Sequence, residues 1–401
     1  MSRKKVLVTA ALPYANGELH IGHLKSTYLP ADIFARYRRL KGDDVVFVSG
    51  SDQHGTPIEI GARREGVPVE EYVEHWMREH LRDFESMRIE FDMFYKTHSP
   101  ENEELTKHFL EKLRDNGYLY KLRVQQLYCP KDGMYLADRY VRGTCPKCGA
   151  PDQYGDSCEV CGSTYEPWEL RDPRCALCGT RPVLREEEHY VFRLSAFRER
   201  LKKWITGNRR FQKSVVNYLL DWLEDLRDWD ITRENYWGIE MPFEDARGKY
   251  VYVWFDAPIG YVSATVKWAE RAGRSWEEFW KDPSAEIVHF IGKDIVYHHY
   301  LFWPAMLMGV DEGFNLPSAI PVRGFLLLEG KKFSKSRKWY ISIREAVRVF
   351  DPDYIRFYLT VLTPYTLEDT NFKLDEFKQV VNSGLSDTCL LYTSPSPRDR
   401  G

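Results

Sequence analysis

The chain has 401 residues, with 57 Lys and Arg against 60 Asp and Glu and a formal net charge of −3. That length exceeds one hydrophobic core, so two or three domains are expected, and the charge balance excludes a globally basic nucleic-acid coat while leaving room for local basic patches. Hydrophobic residues make up 43% and aromatics 14%, enough for a large core, but no apolar run reaches the roughly 18 residues of a membrane crossing.

Arg3-Lys4-Lys5 followed by Val6-Leu7-Val8-Thr9-Ala10-Ala11-Leu12 faintly imitates a signal peptide. The apolar run is short and stops at Pro13, so a buried first strand over 6–12 is the better reading. A turn follows at 13–17, then a helical stretch from near His20 to about Leu40. Val45-Val46-Phe47-Val48-Ser49 reads as a second buried strand. Residues 68–88 alternate at helical period. Ser99-Pro100-Glu101 starts another helix, with Ser as cap, and Asn116-Gly117 stops it. The order strand-then-helix predicts a parallel α/β sheet. Residues 127–180 interrupt it, and 193–227 read as helical. Sheet character is expected to return at Tyr250-Val251-Tyr252-Val253-Trp254 and at Ile287–Gly292. Asp351 caps a further helix. From Cys389 onward Ser and Pro punctuate the sequence, no periodicity continues, and 389–401 reads as a non-native tail.

Six of the eight cysteines form C-x-x-C pairs within one short segment: Cys145/Cys148, Cys158/Cys161 and Cys175/Cys178. Such concentration in a long chain points to zinc and a reducing cytoplasm rather than to disulfides. Two knuckles supply four thiolates, enough for a tetrahedral site. Cys129-Pro130-Lys131-Asp132-Gly133 is a degenerate fourth half-site, with Asp in place of the second Cys. Carboxylate oxygen also ligates zinc, so Cys129, Asp132, Cys175 and Cys178 could make a second site. Four half-sites can pair in three ways, and spacing alone does not choose. The bland alternative makes Asp132 a turn residue before Gly133.

Two further strings carry chemistry. His20-Ile21-Gly22-His23 follows a strand and turn and opens a helix, where backbone N–H groups and two imidazoles suit a phosphate. Gly22 would let a flat ring or phosphate approach the backbone. Lys331-Lys332-Phe333-Ser334-Lys335-Ser336-Arg337-Lys338 suits a mobile loop whose ammonium groups close over phosphates. Each string alone has an ordinary explanation, a surface His pair or a solvated charge run.

Together they resemble the two signatures of class I aminoacyl-tRNA synthetases, with Phe333 where Met is commonest, at a position that packs. Ala11–Gly17, Gly50–Pro57, Val253–Tyr261 and Ile291–His299 extend the resemblance to the methionyl-tRNA synthetases, over about residues 4–388. The resemblance implies a Rossmann-like doubly wound parallel sheet split by a zinc-knuckle insertion and followed by a short, mainly helical stem-contact module. It divides the chain into 1–118 and 230–325 as two catalytic halves, 119–229 as the insertion, and 326–388 as the lysine loop and module. It implies activation of L-methionine with ATP and Mg2+, then transfer to tRNA(Met), in the cytoplasm and as a monomer. His20, His23, Lys332 and Lys335 would be catalytic. Gly292 and Asp294, with His20, His23 and Lys335, would hold ATP. Leu12, Tyr14, Asp52, Trp254, Ala257, Pro258, Tyr261, Ile295 and His299 would bind methionine. Cys145, Cys148, Cys158 and Cys161 would share one zinc. Arg344, Arg348 and Arg356 would face tRNA. The family's anticodon-reading domain would begin near 385, so efficient tRNA charging is expected to be impaired.

His298 reads as structural and His189, after three glutamates, as solvated. Two rival readings compete: a class I synthetase for leucine, isoleucine, valine or cysteine, and a zinc-ribbon nucleic-acid binder with a vestigial catalytic fold. The zinc-centred insertion disfavours the first, since the three aliphatic enzymes usually carry a much longer editing insertion. The presence of His20, His23, Asp52 and Lys335 disfavours the second.

Overall fold

The computed structural model describes residues 3–387, apart from 137, 164, 235–236 and 334–338. Five parallel strands form the central sheet, in the order Val322–Arg323, Glu286–Gly292, Lys5–Ala10, Asp44–Ser51, Met93–Lys96. Val8 lies between Val288 and Phe47 in the register. The apolar run of the first strand is buried because both faces are covered. Val6, Val8 and Ala10 enter one core with Val288 and Phe290, while Leu7 enters the other with Val46, Val48 and Ile287. The first strand and Glu286–Gly292 are neighbours drawn from the two ends of the chain. The crevice at their carboxyl ends is where an open α/β sheet takes its ligand.

The helix after the first turn contains a π-turn at Leu24–Tyr28, closed by Leu29 N–H donating to Leu24 O, and continues as Leu29–Leu40. Helix Pro100–Asp115 is capped by Ser99, whose hydroxyl accepts from Asn102 N–H, and the chain leaves it through Gly117 at φ 78°.

Residues 119–230 leave the sheet. Leu119–Cys129 pairs antiparallel with Val183–Phe192 over ten positions, Leu119 opposite Phe192 and Tyr128 opposite Val183. A smaller sheet of Gln153–Tyr154, Val141–Thr144 and Arg171–Cys175 sits beyond it. Helices Arg198–Gly207 and Lys213–Glu224 then bury Leu201, Ile205, Val215, Leu219 and Leu223 against the main core.

Two expectations fail here. The Tyr250–Trp254 run is not a parallel strand. Lys249–Val251 pairs antiparallel with Thr232–Glu234, and helix Val253–Ala272 begins two residues later, so Trp254 is helical. A short apolar run does not distinguish a buried strand from a buried helix. The segment after 325 is mainly helical, as expected, but opens on short strands. Leu326–Leu328 pairs with Lys331–Lys332 and with Thr370–Phe372 before helices Ile343–Val349, Pro352–Val361 and Leu374–Val380 pack on the sheet. His189 is not solvated. On a strand, alternate residues share a face, so Glu187 and His189 turn inward while Glu186 and Glu188 stay exposed. One ring nitrogen of His189 lies 2.8 Å from Asp230 and the other 3.1 Å from Glu187. Lys249 pairs with Glu187 at 2.5 Å.

The arginines of the last segment are also committed internally. Arg356 bonds the buried Asp32 at 2.7 Å and the Met87 carbonyl at 2.9 Å. Arg344 pairs with Glu79 and Asp83. Both tie the final helices to the first half of the sheet instead of facing outward for tRNA. Arg348 is exposed. Among the described residues no helix is long and apolar enough to cross a membrane.

The His189 cluster predicts a pH dependence. Burial opposes its charge, but Asp230 and Glu187 outweigh it and raise its pKa above the ordinary value. A raised histidine pKa stabilises the fold below the unfolded value of about 6.5, and that stabilisation is lost as pH rises through the folded pKa. Glu187 is held down to about 2 against its burial by His189, Glu234 and Lys249, so its contribution is present above about pH 4.5 and lost on acidification. Urea unfolding as a function of pH is expected to show stability falling as pH rises past about 6.5, and His189→Gln is expected to flatten that limb. An unchanged slope in the variant would contradict the assignment.

Candidate functional site

A cavity of about 820 Å³ opens at the carboxyl ends of the first strand and of Glu286–Gly292. Its walls hold His20, Gly22, His23 and Lys332, the pair Gly292 and Asp294, and the whole set Leu12, Tyr14, Asp52, Trp254, Ala257, Pro258, Tyr261, Ile295 and His299. Lys335 lies outside the described residues, as does the tail from 389.

His20 is the N-cap of the helical turn Ile21–His23, and its backbone N–H donates to His23 Nδ1 at 3.1 Å. The two rings stack at 3.7 Å. Gly22 makes this possible, because a Cβ there would meet the His20 ring at 3.0 Å. So Gly22 clears space for the histidine itself, where the sequence reading gave that space to a ligand. Phe333 packs on His20 at 4.7 Å. Backbone bonds from Ile21 N–H to Ile341 O and from Ile343 N–H to Leu19 O, each 3.2 Å, lash the first signature to the chain that follows the second.

Gly292 has a similar purpose. A Cβ on it would lie 2.5 Å from Asp294 Oδ1. The glycine lets Asp294 fold its carboxylate back into the cavity wall. Burial raises the pKa of that carboxyl.

The opposite end is apolar with a few aimed polar groups. Asp52 is buried, and its pKa is pushed well up, first by burial and then by the neighbouring Asp256 carboxylate. Asp52 Oδ1 and Asp256 Oδ1 have no hydrogen-bond partner among the described residues. Asp256 Oδ2 is held by His54 Nδ1 at 2.7 Å, and Tyr14 donates its hydroxyl to the His54 carbonyl at 2.7 Å. Of the two buried carboxylates only Asp52 lines the cavity, with Asp256 behind it, and a buried carboxylate oxygen without a partner favours a nearby cation or donor.

The apolar wall beyond it holds a histidine in a fixed tautomer. His299 Nδ1 lies 3.0 Å from the Ile295 carbonyl, which only accepts, so Nδ1 carries the hydrogen. Nε2 therefore accepts from the Tyr261 hydroxyl at 2.8 Å. Burial lowers the His299 pKa to about 4, which keeps the ring neutral. The reach of His299 comes from a second π-turn, His298–Phe302, closed by Trp303 N–H on His298 O. Such a turn adds one residue and re-aims the side chains around it.

Several wall residues escaped the sequence reading. His298 is not merely structural, since it lines the cavity and stacks on Trp254 at 3.9 Å. Arg233 lines it too, with its guanidinium 3.9 Å from the Tyr252 ring and 2.9 Å from Asp230. Asp138, Arg139 and Asp156 come from the cysteine-rich insertion, which thus forms part of the wall. No motif flagged them, and only the return of the insertion onto the sheet reveals them.

The cysteines resolve into the nested pairing. Cys145, Cys148, Cys158 and Cys161 bring their sulfurs together, as do Cys129, Cys175 and Cys178 with an Asp132 oxygen, all within 4.8 Å in each set. Cys145–Cys161 and Cys148–Cys158 sulfurs are 3.9 and 3.6 Å apart. A tetrahedral ion with metal–sulfur bonds of about 2.3 Å requires about 3.8 Å between sulfurs, so the inner set fits. In the outer set Asp132 Oδ2 is 3.1 Å from both Cys129 and Cys175, nearer than the roughly 3.5 Å a mixed set requires. Each half-site nevertheless closes alike. Gly133, Gly149, Gly162 and Gly179 all have φ between 67° and 76° and donate N–H to the first cysteine's carbonyl four residues back. Cys129–Asp132 is therefore a knuckle by conformation as well as by pattern, not a plain turn.

The model of the family described as "tRNA synthetases class I (M)" matches residues 6–394. The chain belongs to that family. It is similar to the methionine–tRNA ligase of Methanopyrus kandleri, 46% identical over 385 residues, which are 95% of this chain and 57% of the relative. It is 43% identical to that of Methanocaldococcus jannaschii, again over 95% of this chain and 57% of the relative. This class I synthetase chain thus spans a little over half the length of the curated relatives it matches. Among solved structures, its fold is shared with Mycobacterium tuberculosis methionyl-tRNA synthetase bound by methionyl-adenylate, with a TM-score of 0.73 at 24% identity, over 96% of this chain and 69% of that one.

Metal analysis of the purified chain is expected to return two tightly held ions. Asp132→Ala is expected to reduce this to one, while Cys158→Ser should abolish the inner site. One ion in the unaltered chain would rule out the outer site.

Proposed function

We propose that the chain activates L-methionine with ATP, giving methionyl-adenylate and pyrophosphate, and passes the methionyl group to the terminal ribose of tRNA(Met). The observation that carries this reading is that one cavity gathers the buried Asp52 carboxylate, an apolar wall around Tyr261 and His299, a His pair at a helix start and the Gly292–Asp294 edge. On this reading residues 1–118 and 230–325 form the catalytic unit, 119–229 the insertion, and 326–388 the lysine loop with its supporting module.

The methionine α-ammonium would sit against Asp52, its charge stabilised by Asp256 behind. The side chain would run between Leu12, Tyr14, Trp254, Ala257, Pro258 and Ile295. A thioether suits such a pocket, being apolar, polarisable and favourable at aromatic edges. Tyr261 has spent its hydrogen on His299 and so presents lone pairs there. A carboxylate oxygen then attacks the α-phosphorus. A C(O)–O–P bond forms, the bond to the pyrophosphate oxygen breaks, and the electron pair leaves on pyrophosphate. No covalent bond to the enzyme is required. Catalysis is alignment plus charge stabilisation. His20 and His23 would donate to the phosphates, Asp294 would accept from ribose hydroxyls, and Lys332 and Lys335 would neutralise the leaving pyrophosphate, with Mg2+ arriving on ATP. Arg233, in the same wall, is a further cation for this charge.

The thiolate-rich sets suit zinc. Cys145, Cys148, Cys158 and Cys161 would hold one ion, and Cys129, Asp132, Cys175 and Cys178 another. Their chemistry is closure of the knuckles that carry Asp138 and Arg139 to the wall.

ATP–pyrophosphate exchange tested with all twenty amino acids is expected to respond to methionine alone. Asp52→Ala is expected to lower that exchange by about 10²-fold or more. Exchange with another amino acid would overturn the pocket assignment. Gly292→Ala displaces only the end of a flexible Asp294 side chain, so thermal stability should be unchanged while ATP affinity falls about tenfold. Undiminished ATP affinity would show that Asp294 does not face the nucleotide.

A further inference from the structure

A second cavity, of about 440 Å³, shares no lining residue with the first and lies between helix Leu29–Leu40, the edge of the sheet and the end of helix Pro352–Val361. Its walls are apolar and aromatic, with Leu29, Ile33, Phe34, Phe290, Pro321 and Tyr365 among them. The edge strand Val322–Arg323 is only two residues long, and Ala319 and Pro321 extend its pairing by accepting from His289 N–H and Ile291 N–H.

Two charged side chains line this cavity, Arg323 and Arg210, and among the described residues no carboxylate does. Arg323 is held among rings, its guanidinium 5.5 Å from the centre of Phe290 and 5.7 Å from that of Tyr365. Its Nε and one terminal nitrogen are sealed from solvent and have no hydrogen-bond partner among the described residues. Burial lowers its pKa to about 10, opposed by the Tyr365 phenol, which is uncharged at neutral pH. Lys25 is fully buried nearby, donating to the Gly324 carbonyl at 2.9 Å, and its pKa falls to about 8 through burial and then through the Arg323 charge. Arg210 at the other side shares Glu286 with Lys4 and Arg38. The site is therefore electropositive and short of acceptors. A buried N–H left unpaired costs on the order of 1–3 kcal/mol, and a planar two-oxygen anion matches the guanidinium fork.

The wall is also rigid. Gln212 accepts from Val322 N–H at 2.8 Å, donates to Val322 O at 3.0 Å and to Tyr365 O at 3.3 Å, bracing both sides of Arg323. A preformed apolar cavity of this size with one convergent polar group is the usual form of a small-molecule site.

We propose that this second cavity binds a small anion with a flat aromatic body, its carboxylate or phosphate on Arg323 and its rings against Phe290, Phe34 and Tyr365. It is separate from the cavity of the proposed reaction and does not depend on that reading.

The test is calorimetric titration of the whole chain with 2-naphthoate, with 1-naphthyl phosphate and with inorganic phosphate. The two aromatic anions are expected to bind with Kd below about 1 mM, and the tighter of them identifies the head group. Inorganic phosphate should bind at least tenfold more weakly. Arg323→Met is expected to weaken the aromatic anions at least tenfold. Ile33→Trp fills the cavity from its solvent-facing rim without touching the buried arginine, and should abolish binding while the unfolding temperature is kept. Binding should persist with methionine and a non-hydrolysable ATP analogue at saturation. No heat at 10 mM of either aromatic probe, equal binding in both variants, or displacement by the analogue would overturn the proposal.

Discussion

The site depends on one backbone pairing. The first strand lies parallel to Glu286–Gly292, so that Thr9 and His289, 280 positions apart, share a hydrogen bond. Leu12, Tyr14 and His20 leave the end of one strand, and Gly292, Asp294, Ile295 and His299 leave the end of the other. Everything between them is free to loop out, provided it returns in register. The insertion satisfies that condition through its own ten-position antiparallel ladder, whose two ends bring the chain back beside the sheet. Parallel pairing at such separation carries a loop-closure cost that local contacts do not repay. Two apolar cores, one on each face of the sheet, offset it.

Glycine and burial then shape the chemistry more than charge does. Gly22 and Gly292 each open a space that a neighbouring functional side chain fills, His20 in one case and Asp294 in the other. Burial keeps His299 neutral and raises the pKa of the Asp52 and Asp256 carboxyls. Two π-turns, one after His23 and one at His298, flank the same cavity and turn their helices toward it.

Much of this was legible in the residues, and the failures have physical causes. The strands at 5–10, 44–51 and 286–292 stood out because fully buried parallel strands are unbroken apolar runs. The same rule misled at Tyr250–Trp254, where an equally apolar run begins a buried helix whose face is core all round. His189 looked solvated because the glutamates before it suggest exposure, yet strand alternation turns Glu187 and His189 inward together. Arg344 and Arg356 looked available for nucleic acid because a sequence shows the charge without its partner, and their partners Asp83 and Asp32 lie far away in the chain. The cysteine pairing could not be read from spacing, since all four half-sites share one local pattern. The wall residues Asp138, Arg139 and Arg233 carry no motif at all, and only the tertiary return of the insertion makes them part of the site.

The most direct test of the account is a crystal structure of the chain with methionine and a non-hydrolysable ATP analogue. The ammonium is expected on Asp52, the sulfur beside Tyr261 and His299, the ribose on Asp294 and the phosphates at His20 and His23. Methionine bound away from Asp52, or the nucleotide bound away from the Gly292–Asp294 edge, would contradict it.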